Sequence, residues 1–358
     1  MSDNLKKIIK WFVGLPIDAL VWGFWLVDRK GGFFWNRLCN SYERVSDNYS
    51  NYKLTPKKTS SYIPSRIKTD SKPGELAIVL QGIVSTKDDF TLESVRLYKK
   101  IFPGAIIIIS TWENTAKKVL LELEKEGCVI VLSKAFEPCG FCNVNYQICT
   151  SLSGVRKAKE LGAKYTLKNR SDLRIYKEFS FEYLKSLVEC FPVSGNDIPL
   201  NGRIITLSGA KGQLFAPYWL QDFIYFGFTD DLFSFFDLPY DERPIPSGLD
   251  YFKKAFHSWT CEDMCVANVP EVYLTVCFLG KYMSVDRTVS SYWNILKRYF
   301  IIVNPDALKV LWNKYEHSLE VGCMDDKSRN INLNEFINIY YNRFVYEEWM
   351  EDEQKKYL

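Results

Sequence analysis

Four ionisable residues stand two apart in one short stretch: Lys168, Arg170, Asp172 and Arg174. Side chains alternate across a β-strand, so a strand running through this stretch puts all four on one face and Leu167, Leu173 and Ile175 on the other. Four ionic groups are costly to bury without partners, so the charged face opens on solvent or on a charged ligand. A nucleotide diphosphate suits it. Lys and Arg neutralise phosphate oxygens, while Asp172 holds a divalent cation or a ribose hydroxyl. The competing reading is an edge strand whose charges pair with one another. Two further carboxylates fit general-base chemistry, in which an attacking hydroxyl gives up its proton. Asp222 precedes the aromatic run Phe223-Ile-Tyr-Phe-Gly227, and Glu271 follows Pro270 at a helix start, where helix capping is the alternative role.

These residues need a scaffold, and the apolar pattern supplies one. Leu76 to Leu80 reads as a buried strand ending in Gln81-Gly82, followed by an amphipathic helix from Leu92 to Phe102. Ala105 to Ile109 is a second strand ending in Ser110-Thr111-Trp112, a helix runs from Asn114 to Lys125, and Val129 to Leu132 is a third strand. After the turn Asn143-Val-Asn145-Tyr-Gln147 comes a helix with Ser153 or Gly154 near its start and Gly162 past its end, and a strand then begins at Lys164. Strands alternating with helices make an α/β fold with a mostly parallel, Rossmann-type sheet. Ligands of such sheets bind beyond the carboxyl ends of the strands, which puts Gln81, Gly82, Ser110 and Thr111 on the rim of the expected site, with loop capping as the competing role.

The rest of the chain sets bounds. Forty-six basic against forty-three acidic residues leave a charge of +3, too balanced for non-specific nucleic-acid binding. Residues 1–38 include the apolar run from Trp11 to Val27, flanked by lysines. Pro16 and Asp18 interrupt it and it is short of the about 20 residues of a spanning helix, so it reads as lying on a membrane surface or packed in protein. No cleavable signal peptide is evident, and the reading is a cytoplasmic protein, peripheral on the inner face of a membrane through residues 1–30. Residues 39–74 form a polar linker or arm, 75–285 the α/β domain, and 286–358 a helical extension with helices at Val303–Ser318 and Leu333–Asp352. Cys139, Cys142, Cys261 and Cys265 have a loose zinc-like spacing, but ordinary reduced thiols are the preferred reading. His257 and His317 lie in no metal motif, and Ser208 to Gly212 lacks the full spacing of a phosphate loop and reads as a turn.

Taken in order, Leu80-Gln81-Gly82, Ser110-Thr111-Trp112, Asn145-x-Gln147, Lys168-Asn-Arg170-Ser-Asp172, Asp222-Phe-Ile-Tyr-Phe-Gly227 and Pro270-Glu271-x-Tyr273-Leu274 resemble the WavE lipopolysaccharide-synthesis family. The resemblance covers roughly residues 75 to 285. It implies a GT-A-like glycosyltransferase that moves a sugar from a nucleotide-sugar donor to a glycan or lipid-linked acceptor, in building lipopolysaccharide or capsule. It also implies that Gln81, Gly82, Ser110, Thr111, Asn145, Gln147, Lys168, Arg170, Asp172 and Arg174 face the donor. Metal-dependent GT-A enzymes use an acidic pair to hold Mn or Mg. Here Arg170 stands where the first acid belongs and leaves Asp172 alone, so metal-independent action with the cations facing the phosphates is equally open. A CDP-linked polyol-phosphate transferase and a non-catalytic membrane-associated scaffold are the other readings.

Overall fold

The computed structural model describes residues 19–23, 37–38, 40–41, 55–62, 71–209, 213–244, 261–313, 319–320 and 331–343. The chain divides into two compact units, Met1–Pro56 and Lys57–Leu358. In the first, residues 19–23 are helical, and Leu20 and Trp22 are exposed. Most of the apolar run, the segment read as membrane-facing, lies outside the described residues. Among the described residues no helix is long and apolar enough to cross a membrane.

The second unit is built on a seven-stranded sheet. Its strands are β1 (Leu76–Gln81), β2 (Ile106–Trp112), β3 (Val129–Ser133), β4 (Tyr165–Arg170), β6 (Ile204–Leu207), β7 (Tyr225–Phe228) and β8 (Phe300–Val303), in the spatial order β3-β2-β1-β4-β7-β6-β8. The first four pair in parallel, as the alternation of strands and helices requires. β7 runs antiparallel between β4 and β6, and β8 lies parallel to β6. β1 is buried along its whole length, which is why its sequence, LAIVLQ, is apolar without alternation. Helices α1 (Phe90–Ile101), α2 (Lys117–Lys125), α3 (Val144–Glu160) and α4 (Ser180–Cys190) flank the sheet. α3 crosses β1 and β2 at Gly154, where a Cβ atom would meet Val79 Cγ1 at 2.3 Å, so only glycine permits this approach.

A second, three-stranded antiparallel sheet joins β5 (Leu173–Ile175), β9 (Val310–Trp312) and β10 (Leu319–Glu320). It corrects the expectation of one continuous charged strand. β4 ends at Arg170, the chain turns through Ser171 and Asp172, and β5 leaves for the other sheet. Asn313 N–H closes on the Asp172 carbonyl at 3.0 Å and Leu173 sits opposite Trp312. The remaining helices are α5 (Thr229–Phe236), α6 (Cys261–Val266), α7 (Pro270–Gly280), α8 (Val289–Tyr299), α9 (Pro305–Leu308) and α10 (Leu333–Tyr340).

Three other expectations change. α3 starts at Val144, so Asn145 and Gln147 lie in its first turn and not in a loop before it. The stretch read as a helix from Val303 to Ser318 holds the end of β8, the four-residue α9 and β9, because Phe300-Ile-Ile-Val303 is one aromatic and three β-branched residues and completes the main sheet. The segment after 286 is thus helical only in part. Residues 57–62, read as linker, are pinned to the second unit: Thr59 N–H and Oγ1 bond the Glu93 carboxylate and carbonyl at 2.6 and 2.8 Å.

Candidate active site

At the carboxyl end of β4 the side chains of Lys168, Arg170, Asp172, Asp222 and Glu271 come within electrostatic reach of one another. Arg170 grips Asp172 with both arms of its guanidinium, Nε to Oδ1 at 2.9 Å and Nη2 to Oδ2 at 3.0 Å. The planar fork matches the carboxylate, and the rings of Phe223 and Trp312 lie 5.7 and 5.6 Å from the guanidinium carbon. Trp312 also donates its indole N–H to Asp172 Oδ2 at 3.2 Å. Burial works against the charge on Arg170. The Asp172 fork and the charges of Asp222 and Glu271 outweigh it, so the guanidinium is held charged more firmly than usual.

Lys168 is fully buried. Its ammonium donates to the Asp222 carbonyl at 2.7 Å, with the rings of Tyr225 and Phe236 5.5 and 5.7 Å away. Desolvation pushes its pKa down to about 7, against the opposing pull of Asp222. Gln147 donates to the same carbonyl at 3.4 Å. Lys168 and Gln147 therefore hold the backbone of Asp222, whose side chain faces the cluster and accepts no hydrogen bond from the described residues. Glu271 sits in the first turn of α7 behind Pro270. The residue reaches the surface in part, yet its carboxyl is packed closely enough that desolvation, reinforced by Asp222, pushes its pKa up to about 8. Its own backbone N–H and Arg170 pull the other way, so helix capping and membership of the cluster coexist in one residue.

Beside this cluster a cleft of about 470 Å³ opens at the carboxyl ends of β1, β2 and β3. It is lined by uncharged residues, among them Trp112, Asn114, Thr115 and Tyr146. Trp112 and Tyr146 stack edge to face at 5.0 Å. The loop after β1 connects the two places. Gly82 turns it with φ +99°, Ile83 lines the cleft, and the Ile83 carbonyl accepts from the hydroxyl of Ser171, which stands between Arg170 and Asp172.

Several residues expected to face a ligand lie elsewhere. Arg174 points to α1, 2% exposed, donating to Ser94 Oγ, the Lys57 and Phe90 carbonyls and Tyr176 Oη at 2.7–3.0 Å. The turn at Asp172 reversed its face. Gln81, Ser110 and Thr150 form a buried chain, with Thr150 Oγ1 donating to Gln81 Oε1 at 2.8 Å and Ser110 Oγ to the Thr150 carbonyl at 2.6 Å. Thr111 is buried and bonds Thr115. Asn145 ties α3 to the Pro138 and Asp241 carbonyls and accepts from Asp241 N–H. The cationic cradle expected from Lys168, Arg170 and Arg174 thus reduces to Arg170, the one of the three that keeps a partly open side chain. In its place stand two carboxylates from distant segments. Phe223, Tyr225 and Trp312 were not picked out as site residues. The aromatic run after Asp222 carried a signal for two of them, whereas Trp312 was hidden in a stretch read as helix.

A metal held through Asp172 does not fit these residues. Both carboxylate oxygens are covered by Arg170, and among the described residues no three His, Cys, Asp or Glu side chains are grouped to hold an ion. Cys139, Cys142 and Cys265 form no disulfide among the described residues. His257 and His317 lie outside the described residues, as do residues 210–212 of the expected turn and the side chain of Cys261.

The fold is an α/β sheet with clustered carboxylates and cations at its carboxyl edge, beside an uncharged aromatic cleft. Residues 76–352 match the WavE lipopolysaccharide synthesis family, and the chain belongs to that family. No curated protein matches its sequence. Among solved structures it is similar to a cytidylyltransferase from Leptospira borgpetersenii (13% identity, 62% of this chain and 94% of that one, TM-score 0.30). It is also similar to a mannose-1-phosphate geranyltransferase from Thermus thermophilus (13%, 62% and 78%, 0.28). A third is a glycosyltransferase involved in glycosylation of the major capsid of PBCV-1 (12%, 64% and 81%, 0.25). These likenesses are too slight to assign an activity.

Proposed function

We propose that this chain is a glycosyltransferase that moves a sugar from a nucleotide-sugar donor to a growing surface polysaccharide, lipopolysaccharide or capsule. The observation that carries the reading is the meeting of Asp222 and Glu271 with Arg170 at the carboxyl end of β4, one loop away from the aromatic cleft. Sugar transfer needs three things that this arrangement supports. The uncharged cleft suits the nucleoside, whose base stacks on aromatic rings. Arg170 is a permanent cation near the place where charge develops on the leaving diphosphate. Glu271, with its pKa raised toward neutrality, takes the proton from the attacking hydroxyl as a new bond forms to the anomeric carbon and the bond to the diphosphate breaks. Asp222, held by Lys168 and Gln147, keeps the Glu271 proton affinity high.

The test is turnover of a panel of UDP-, GDP-, CMP- and CDP-sugars by the full chain, followed by mass analysis of the products. Release of the nucleotide with transfer of the sugar supports the reading. Absence of both turnover and nucleotide binding across the panel removes it.

A further inference from the structure

The turn that carries Arg170 is fastened to the wall of the aromatic cleft through one buried residue. Ser171 lies between Arg170 and Asp172 and directs its N–H, its hydroxyl and its carbonyl to the segment that runs from β1 into α1. The N–H donates to the Gln81 carbonyl at 3.0 Å, the hydroxyl donates to the Ile83 carbonyl, and the Ser171 carbonyl accepts from Thr91 Oγ1 at 2.9 Å. Thr91 closes the loop in turn. Its hydroxyl accepts from Ser85 N–H at 2.8 Å and its own N–H donates to the Ser85 carbonyl at 3.0 Å. The stretch from Gln81 to Ser85 is thus pinned to the turn at both ends and in the middle.

The same stretch forms the cleft. Ile83 and Val84 line it together with Thr86, Trp112 and Tyr146. The Ile83 side chain is 77% exposed, so packing does little to fix its backbone and the bond to Ser171 carries more of that task. On the other side Arg170 and Asp172 flank Ser171 and close on each other through the two-armed fork. A turn anchored at its middle and forked across its ends has few soft dihedrals left, so moving the cleft wall moves the guanidinium with it. A nucleoside diphosphate touching both places makes two linked contacts. The second adds to the first only where the distance between cleft and cation is held.

We infer that Ser171 is a positioning residue that sets the distance from the cleft to the Arg170 guanidinium, so that a bound nucleoside presents its diphosphate to that cation. This role rests on the sugar-transfer reading for the identity of the ligand, and adds to it the link that keeps the two parts of the site in register.

Calorimetric titration of uridine, cytidine and guanosine, and of UDP, CDP and GDP, measures the gain in affinity that the diphosphate brings. The proteins compared are wild type, Ser171→Ala, which removes the hydroxyl, and Ser171→Thr, which keeps it, with unfolding midpoints as the control for folding. Ser171→Ala should bind the nucleoside as wild type does while losing about tenfold of the diphosphate gain, and Ser171→Thr should recover it. A diphosphate gain in Ser171→Ala equal to that of wild type overturns the role. So does an equal loss for nucleoside and diphosphate, because a bond that only supports the fold weakens both alike. Hydrogen exchange on the ligand-free proteins reads the same link independently. Residues 82–86 and 169–173 should exchange faster together in Ser171→Ala and at wild-type rates in Ser171→Thr; unchanged exchange in either stretch of Ser171→Ala overturns the link. If wild type binds none of the six probes, the sugar-transfer reading loses its support, and hydrogen exchange alone decides whether Ser171 ties cleft to cation.

Discussion

Replacing Glu271 with Gln separates stability from chemistry. The folded-state pKa of Glu271 is raised from 4.5 to about 8, first by desolvation and then by Asp222. A raised carboxyl binds its proton in the folded state, so its contribution to stability is full below about 4.5 and is lost as pH rises through about 8. Linkage over pH 5.5 to 8.5 gives a ceiling of about 3 kcal/mol for that loss. Because part of Glu271 reaches solvent, about 1–2 kcal/mol is expected. Gln removes this titration while keeping size and shape. The variant should therefore be more stable than wild type by a margin that widens with pH. Lys168 titrates in the opposite sense, its pKa being pushed down to about 7, but it is present in both proteins and leaves the difference unchanged to first order. Urea unfolding of both proteins at pH 5.5 and 8.5 measures the margin. Activity should move the other way, with kcat falling by about 10²- to 10⁴-fold and the rise of kcat/KM near pH 8 disappearing. A margin that stays constant with pH, or a variant with wild-type turnover and an unchanged pH profile, would refute the reasoning.

Two other outcomes follow from particular residues. Arg174→Met should lower stability by about 3 kcal/mol or more without altering nucleotide affinity, because it strands the Phe90 and Lys57 carbonyls in a buried site; denaturant titration and calorimetry together check both halves. Deleting residues 1–30 should release the protein from liposomes if that apolar run rests on the membrane surface, and unchanged co-sedimentation would refute it.

The α/β class was legible in the chain because β1 to β4 are short apolar runs separated by amphipathic helices, a pattern that depends only on local periodicity and burial. Asp222 and Glu271 were also visible, one before an aromatic run and one behind a helix-starting proline. Their meeting was not visible, since 48 residues lie between them. Nor was the fate of the charged stretch. Alternation predicts a shared face only while a strand stays in one sheet, and pairing of Leu173 with Trp312, 139 positions away, ends that condition at Asp172. The same non-local pairing turns Arg174 into a structural anchor and brings Trp312 to Arg170. Local sequence thus determined which segments are strands and helices and which acids were available for chemistry. Tertiary structure decided which charges lie together, because strand pairing and burial act between residues far apart in the chain and set both their neighbours and their proton affinities.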